Sequence, residues 1–275
     1  MTTDRTTTPA GGSDETRFAL SCDGITKAFQ GVRAVNGATF DVPEGLITAL
    51  IGPNGAGKTT VVNILSGSMT CDSGTEHIGG TDVTNWPSYR IARLGLMRTF
   101  QLSRELGGLT VLENLLVAAP DQAGESMVNV FFRPSAVRRQ ERENVARALD
   151  ILETYGLFHL RDNRASDLSG GQKKLLEISR AVMASPKVLL LDEPMAGVNP
   201  ALIERIGGYI LDLKAAGVTV LMIEHNLNVV ERICDHVIVL AEGRTLATGK
   251  LSDLRENEEV VQAYLGEVIN ASTHG

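Results

Sequence analysis

Short apolar runs rich in β-branched residues alternate along this chain with stretches whose apolar positions fall at helical spacing. Ile47-Thr48-Ala49-Leu50-Ile51, Val188-Leu189-Leu190-Leu191, Val218 to Ile223 and His236 to Leu240 are short and almost continuously apolar. Such runs predict strands buried on both faces, and the helices between them predict a parallel sheet covered on both sides. Phe18 to Phe29 and Ala38 to Val42 mix apolar and polar residues, with Gly31 and Asn36-Gly37 as turns, and predict antiparallel strands. A helix is expected from Lys58 to about Leu65. From about Leu102 to Asp167 the strand signal stops. There Val145, Ala148, Leu149 and Leu152 keep an i, i+3, i+4, i+7 rhythm, and Thr110-Val111-Leu112-Glu113 forms a capping box that opens another helix. The expected fold class is α/β: a parallel-sheet core, an antiparallel β subdomain and an inserted α-helical subdomain over about 102–185.

Composition narrows this picture. A chain of 275 residues with 43% hydrophobic content can bury the core of one large α/β domain or two small ones. Its net charge of −7 speaks against nucleic acid as a partner. Cys22, Cys71 and Cys234 form no CxxC pair, which excludes a disulfide framework or a zinc site and fits reduced thiols in a cytosolic protein. No apolar run nears the roughly 18 residues that span a bilayer, so any membrane role comes through a partner. Residues 1–16 are polar and Thr-rich, without the apolar segment of a signal peptide, and are expected to form a disordered tail. Residues 17–275 are then the folded unit, closing with an extension over about 250–275.

Three motifs carry chemistry. Gly52-Pro53-Asn54-Gly55-Ala56-Gly57-Lys58-Thr59 matches GxxxxGK[ST] between a predicted strand and a predicted helix. Its glycines let backbone N–H groups converge on phosphates, and the helix N-terminus adds partial positive charge. Lys58 should reach the β- and γ-phosphates, and the Thr59 hydroxyl should ligate Mg²⁺. The plain alternative is a Gly-rich helix start. Val188 to Leu191 runs into Asp192-Glu193, at the strand end where parallel sheets bind ligands. Asp192 is placed to hold Mg²⁺ and Glu193 to polarise an attacking water; the alternative is a solvated strand end before Pro194. Between these motifs lies Leu168-Ser169-Gly170-Gly171-Gln172. Ser169 and Gln172 make a capping box for a helix running to about Ala184, with Leu175, Ile178, Ala181 and Val182 on one face. Gly170-Gly171 weakens that helix by about 1 kcal/mol per residue relative to Ala, a cost that close approach of a phosphate would explain.

The three motifs in this order resemble the nucleotide-binding subunit of ABC transporters, from about Phe18 to near the chain end. The resemblance implies a P-loop NTPase (RecA-like) core and ATP hydrolysis with Mg²⁺. It further implies that Ser169, Gly170, Gly171 and Gln172 act on ATP held by a second ATPase subunit, identical or different, in a head-to-tail dimer. Gln101, in Arg98-Thr99-Phe100-Gln101, is similar to the family's glutamine that contacts Mg²⁺ and water. His225 is similar to the switch histidine at the γ-phosphate, and Phe29 to the aromatic that stacks on adenine. The implied catalytic set is Lys58, Gln101, Glu193 and His225, and the implied metal set is Thr59, Gln101 and Asp192. The implied ATP-binding set is Phe29 with Gly52, Pro53, Asn54, Gly55, Ala56, Gly57, Lys58, Thr59 and Thr60. Ala196-Gly197-Val198-Asn199-Pro200 resembles the family's dimer-crossing loop, with Asn199 where an Asp is usual; Asn199 and Pro200 also suit a helix start. His77, His159, His236 and His274 have no comparable placement.

Leu168 to Glu177, Asp192 to Pro200, Ile223 to Asn228 and Ala263-Tyr264-Leu265-Gly266, with a long insert after Ala118, resemble ATPases of branched-chain amino acid importers. That implies two transmembrane permease subunits, indirectly a substrate-binding protein, and a place on the cytoplasmic face of the membrane held through the permeases. Urea and short-chain amide importers and the lipopolysaccharide-type exporter share much of the pattern. A soluble translation or DNA-repair ATPase is a rival, though those usually join two cassettes in one chain or add coiled coils or zinc modules. A regulator without turnover is a third reading, which Glu193 and His225 oppose. The insert carries Met127 to Phe132, then Arg133, Arg138, Arg139 and Arg142. It reads either as an apolar flap packed on the helical subdomain beside a solvated helix, or as a contact with the membrane partner or lipid headgroups. By the resemblance, an apolar groove near Leu102 to Leu115 is expected to dock the partner's cytoplasmic helix.

Overall fold

The computed structural model describes residues 17–99, 106–120, 122, 124 and 131–263. Residues 1–16, 100–105 (Gln101 among them), 127–130 of the insert and 264–275, for which expectations were stated, lie outside that set.

Strands β1 (Phe18–Phe29) and β2 (Val32–Pro43) form an antiparallel hairpin closed at Gln30-Gly31, both with positive φ (48° and 88°). Positive φ at both turn positions matches the right-handed twist of the strands it joins. Asn36-Gly37, expected as a second turn, instead lies inside β2. Gly37 has φ 89°, and the register slips between the pairs Thr26–Asn36 and Ile25–Ala38. This is a bulge, where a glycine absorbs an extra residue without ending the strand. Strands β4 (Ser73–Ile78) and β5 (Thr81–Asp82) complete a four-stranded sheet in the order β2-β1-β4-β5.

The second sheet holds β3 (Ile47–Ile51), β6 (Leu96–Arg98), β7 (Val188–Asp192), β8 (Thr219–Ile223), β9 (His236–Ala241) and β10 (Arg244–Gly249), in the order β10-β9-β3-β8-β7-β6. All neighbours run parallel except β10, which folds back on β9. Every residue of β3, β7 and β8 is buried, as their unbroken apolar runs require. The helices are α1 (Lys58–Leu65), α2 (Ser88–Arg93), α3 (Val111–Val117), α4 (Pro134–Thr154), α5 (Gly170–Met183), α6 (Pro200–Ala215), α7 (Leu227–Ile233) and α8 (Leu251–Leu254).

Alternation along the central strands divides the core. Leu189, Leu191, Val220 and Met222 face α3, α4, α5 and α6, meeting Leu115, Leu152, Ile178 and Ile206. Val188, Leu190, Leu221 and Ile223 face the other way, onto Val61, Ile64 and Leu65 of α1 and Ile25 and Phe40 of the antiparallel sheet. Helix α1 is therefore clamped between the two sheets, which fixes the loop preceding it. The fold is the α/β architecture the apolar pattern implied.

Between β6 and β7 the described residues are helical or irregular, apart from one antiparallel bridge joining Thr110 and Arg164. Both capping boxes form: Thr110 with Glu113 on α3, and Ser169 with Gln172 on α5. Two expectations meet only part of their residues here. Phe131 and Phe132 are 73% and 81% exposed, so these two residues do not pack as an apolar flap. Val111 and Leu115 are fully buried, turned inward onto α4 and α5 by helical periodicity, while Leu106, Leu109 and Leu112 stay half-buried; residues 102–105 of the expected docking groove lie outside the described set. Among the described residues no helix is long and apolar enough to cross a membrane.

Candidate nucleotide site

The carboxyl ends of the parallel strands gather the chemistry on one edge of the sheet. Leu50 and Asp192 both pair with Ile223 on β8, and Arg98 pairs with Leu190 on β7. The turn after β3, the acidic end of β7, the segment after β8 and the last residue of β6 are thereby neighbours.

The turn after β3 is Gly52 to Gly57. A Cβ on Gly52 would lie 2.0 Å from the Leu240 carbonyl oxygen, and one on Gly57 2.4 Å from that of Ala34. Both have positive φ (151° and 96°), so no other residue fits the path. Gly57 is the N-cap of α1 and, having no side chain, supplies no capping acceptor to the first turn of this helix. Its N–H groups and dipole are therefore presented to an anion. Lys58 is 6% exposed and donates from Nζ to the carbonyls of Gly52 (2.8 Å) and Pro53 (2.9 Å), folding its ammonium over the concave side of the loop. Thr59 is exposed and Thr60 half-buried beside it.

Asp192 is buried at the end of β7. Its Oδ2 accepts from Arg98 Nη2 at 3.0 Å, while Oδ1 has no hydrogen bond among the described residues. Glu193 follows with φ 49°, a left-handed conformation costing a non-glycine residue about 1 kcal/mol. Its N–H donates to the Ile223 carbonyl (3.0 Å), and its Oε1 lies 3.0 Å from Nε2 of His225. The left-handed turn sends Glu193 away from Asp192 and toward β8, so carboxylate and imidazole meet at the surface.

Several residues here carried no sequence reading. Glu224, between β8 and His225, is 4% exposed, and burial raises its carboxyl to about 7; Glu193 adds to the rise, while the Asn226 N–H and Lys174 oppose it. Asn63 and Ser66 accept from Arg98 Nη1 at 2.6 and 3.3 Å. The signal for Arg98 was a cation closing a short apolar strand; nothing local could identify its partners.

Ser169 caps α5 with both bonds of its box: Gln172 N–H to Ser169 Oγ (3.4 Å) and Ser169 N–H to Gln172 Oε1 (2.8 Å). The two glycines differ. A Cβ on Gly171 would press on a methyl group of Leu202 at 2.5 Å, whereas one on Gly170 would meet nothing within 4 Å. Ser169, Gly171 and Gln172 line an open pocket with Gly197, Val198 and Asn199, and no phosphate-loop residue is part of it. Asn199 caps α6, its Oδ1 accepting from the Leu202 N–H at 2.9 Å, with Pro200 at the first helical position. Phe29 is 44% exposed at the end of β1, which rules out a core role.

Residues 35–196 match the family model described as ABC transporter. The chain belongs to the ABC transporter family. The matched span holds the phosphate loop, the capped Gly170-Gly171 helix and the acidic strand end, and the cassette is an ATPase of that family. It is 44% identical over 249 residues to a probable branched-chain amino acid transport ATP-binding protein LivG of Archaeoglobus fulgidus, covering 90% of this chain and 95% of that one. It is 40% identical over 252 residues to the high-affinity branched-chain amino acid transport ATP-binding protein BraF of Pseudomonas aeruginosa, covering 91% and 99%. Among solved structures it resembles a nucleotide-free ATP-binding cassette from an ABC transporter (TM-score 0.77, 39% identity, 90% of this chain and 98% of that one). A structure of an ABC-transporter ATP-binding cassette in its ADP conformation gives the same TM-score, 0.77, at 39% identity over 92% of this chain and 100% of that one.

Proposed function

We propose that this cassette powers an importer of branched-chain amino acids from the cytoplasmic face of the membrane, held there by two transmembrane permease subunits that a substrate-binding protein supplies. The observation that carries this reading is the match, 40–44% identical, to proteins named for branched-chain amino acid transport across at least 95% of their length.

The geometry supports a role for each group. The loop N–H groups and Lys58 hold the β- and γ-phosphates, and Phe29 offers an exposed ring to the adenine. The donor set suits Mg²⁺: among the described residues no group of three acidic, His or Cys side chains could cage an ion. One carboxylate, Asp192, and one hydroxyl, Thr59, with Gln101 by resemblance, are the hard oxygens such a cation takes when phosphates bring it. The cation neutralises phosphate charge once bound. Glu193 accepts the proton of the attacking water, and His225, 3.0 Å away, holds that carboxylate in place. Ser169 and Gly170 face outward and bind the γ-phosphate carried by a second ATPase subunit, so two chains complete two sites.

Glu193→Gln should retain ATP, accumulate as an ATP-bound dimer with its partner, and lose about 10²- to 10⁴-fold in turnover; near-normal turnover would reject Glu193 as the base. Co-purification from native membranes, followed by uptake assays in proteoliposomes, tests the cargo. Leucine, isoleucine or valine uptake that Glu193→Gln abolishes is the expected result. Uptake of urea or short amides alone would move the cassette to that importer class.

A further inference from the structure

The three-residue strand β6 ends on Arg98, whose side chain is 11% exposed and whose partner Asp192 is 10% exposed. A charge pair so far out of water is stable only where hydrogen bonds hold its geometry. Here Nη2 takes Asp192 Oδ2, while Nη1 is held by Asn63 and Ser66 at the far end of the helix that starts at Lys58. The guanidinium thus joins the phosphate-loop helix to the acidic strand end. It engages one carboxylate oxygen and leaves Oδ1 without a hydrogen bond among the described residues. An ammonium could not span these partners, because only the planar fork presents several fixed donors at once.

We propose that Arg98 is a positioning residue for Asp192: it fixes the carboxylate through Oδ2, reserves Oδ1 for the divalent cation, and supplies positive charge there while no nucleotide is bound. A bare divalent cation meets a carboxylate already neutralised and gains little. The same cation arriving with phosphates brings its own compensating negative charge and can use Oδ1. Arg98 thereby makes cation binding depend on nucleotide. The inference rests on the proposed role of Asp192 as a cation ligand.

The test is titration of the nucleotide-free protein with Mn²⁺ alone, read by electron paramagnetic resonance, alongside Mn²⁺ retention in the ATP complex. Arg98→Met should bind Mn²⁺ without nucleotide at least about tenfold more tightly than the unaltered protein, because a cation a few ångströms from the site has gone. Asn63→Ala keeps the charge and loosens the fork, and should shift Mn²⁺ affinity the same way by a smaller factor, which provides the test should Arg98→Met fail to fold. Unchanged Mn²⁺ affinity in the folded variants would overturn the proposal and leave Arg98 a structural ion pair. Asp192→Asn separates the two levels: if it retains Mn²⁺ in the ATP complex like the unaltered protein, the reading of Asp192 fails. If it loses Mn²⁺ there while Arg98→Met binds Mn²⁺ as the unaltered protein does, only the role of Arg98 fails.

Discussion

At the scale of single residues, Phe29 and Arg98 mark what a linear pattern can reveal. Phe29 was legible as an aromatic at a strand end, and only its exposure separates a stacking ring from a core side chain. Its replacement by Ala should weaken ATP binding roughly 3- to 10-fold, the worth of one aromatic face, and leave the melting temperature nearly unchanged. A fluorescent-nucleotide titration measures this; a large loss of stability with unchanged affinity would return Phe29 to a packing role. The loop from Gly52 to Thr59 was legible because its glycines and lysine are contiguous. Arg98 was not, because its anchors Asn63 and Asp192 stand 35 and 94 positions away. Glu224 escaped for another reason: a carboxylate after a strand reads as solvent-facing, and only tertiary packing of α5 and α7 around β8 buries it.

At the scale of elements, α5 tests whether its glycines serve this chain or another. Leu202 leaves little room at Gly171, so part of that glycine's cost is answered within the fold. Gly170 has open space and no positive φ, so alanine would fit there and strengthen the helix by up to about 1 kcal/mol. Gly170→Ala should therefore melt at the same or a slightly higher temperature while ATP turnover, assayed with the partner subunit, falls. Retained turnover would remove the argument that an outside phosphate needs the bare backbone. The same scale shows where pattern reading stops. Asn36-Gly37 has turn chemistry, yet β2 passes through it as a bulge, because pairing with β1 on both sides outweighs the local preference. Strand β4 went unread because Ser73-Gly74-Thr75-Glu76-His77-Ile78 buries only Glu76 and Ile78, too few for a periodic signal.

At the scale of the whole molecule, stability should carry the mark of Glu76. It is 1% exposed; one oxygen accepts from the Asn85 N–H at 3.2 Å and the other has no partner. Burial raises its carboxyl from 4.5 to about 7, with Asp82 adding to the rise. The folded protein then holds a proton that the unfolded chain has released. The stability this provides is fully present below about 4.5 and is lost as pH rises through about 7. Glu76→Gln should flatten that part of the profile and be about 1–3 kcal/mol more stable than the unaltered protein at pH 8. Denaturant melts at pH 5 and pH 8 check the sign; equal slopes for both proteins would show that Glu76 does not titrate between them.

The left-handed backbone at Glu193 has a consequence for how such a chain can drift. Asparagine or glycine would sit there with less strain, and neither carries the carboxylate that the proposed mechanism uses. A library screened only for heat resistance should thus enrich asparagine or glycine at this position, and under the proposed role of Glu193 those variants would bind ATP without turning it over. The torsion angle at Glu193 thus sets stability against the proposed turnover at a single position.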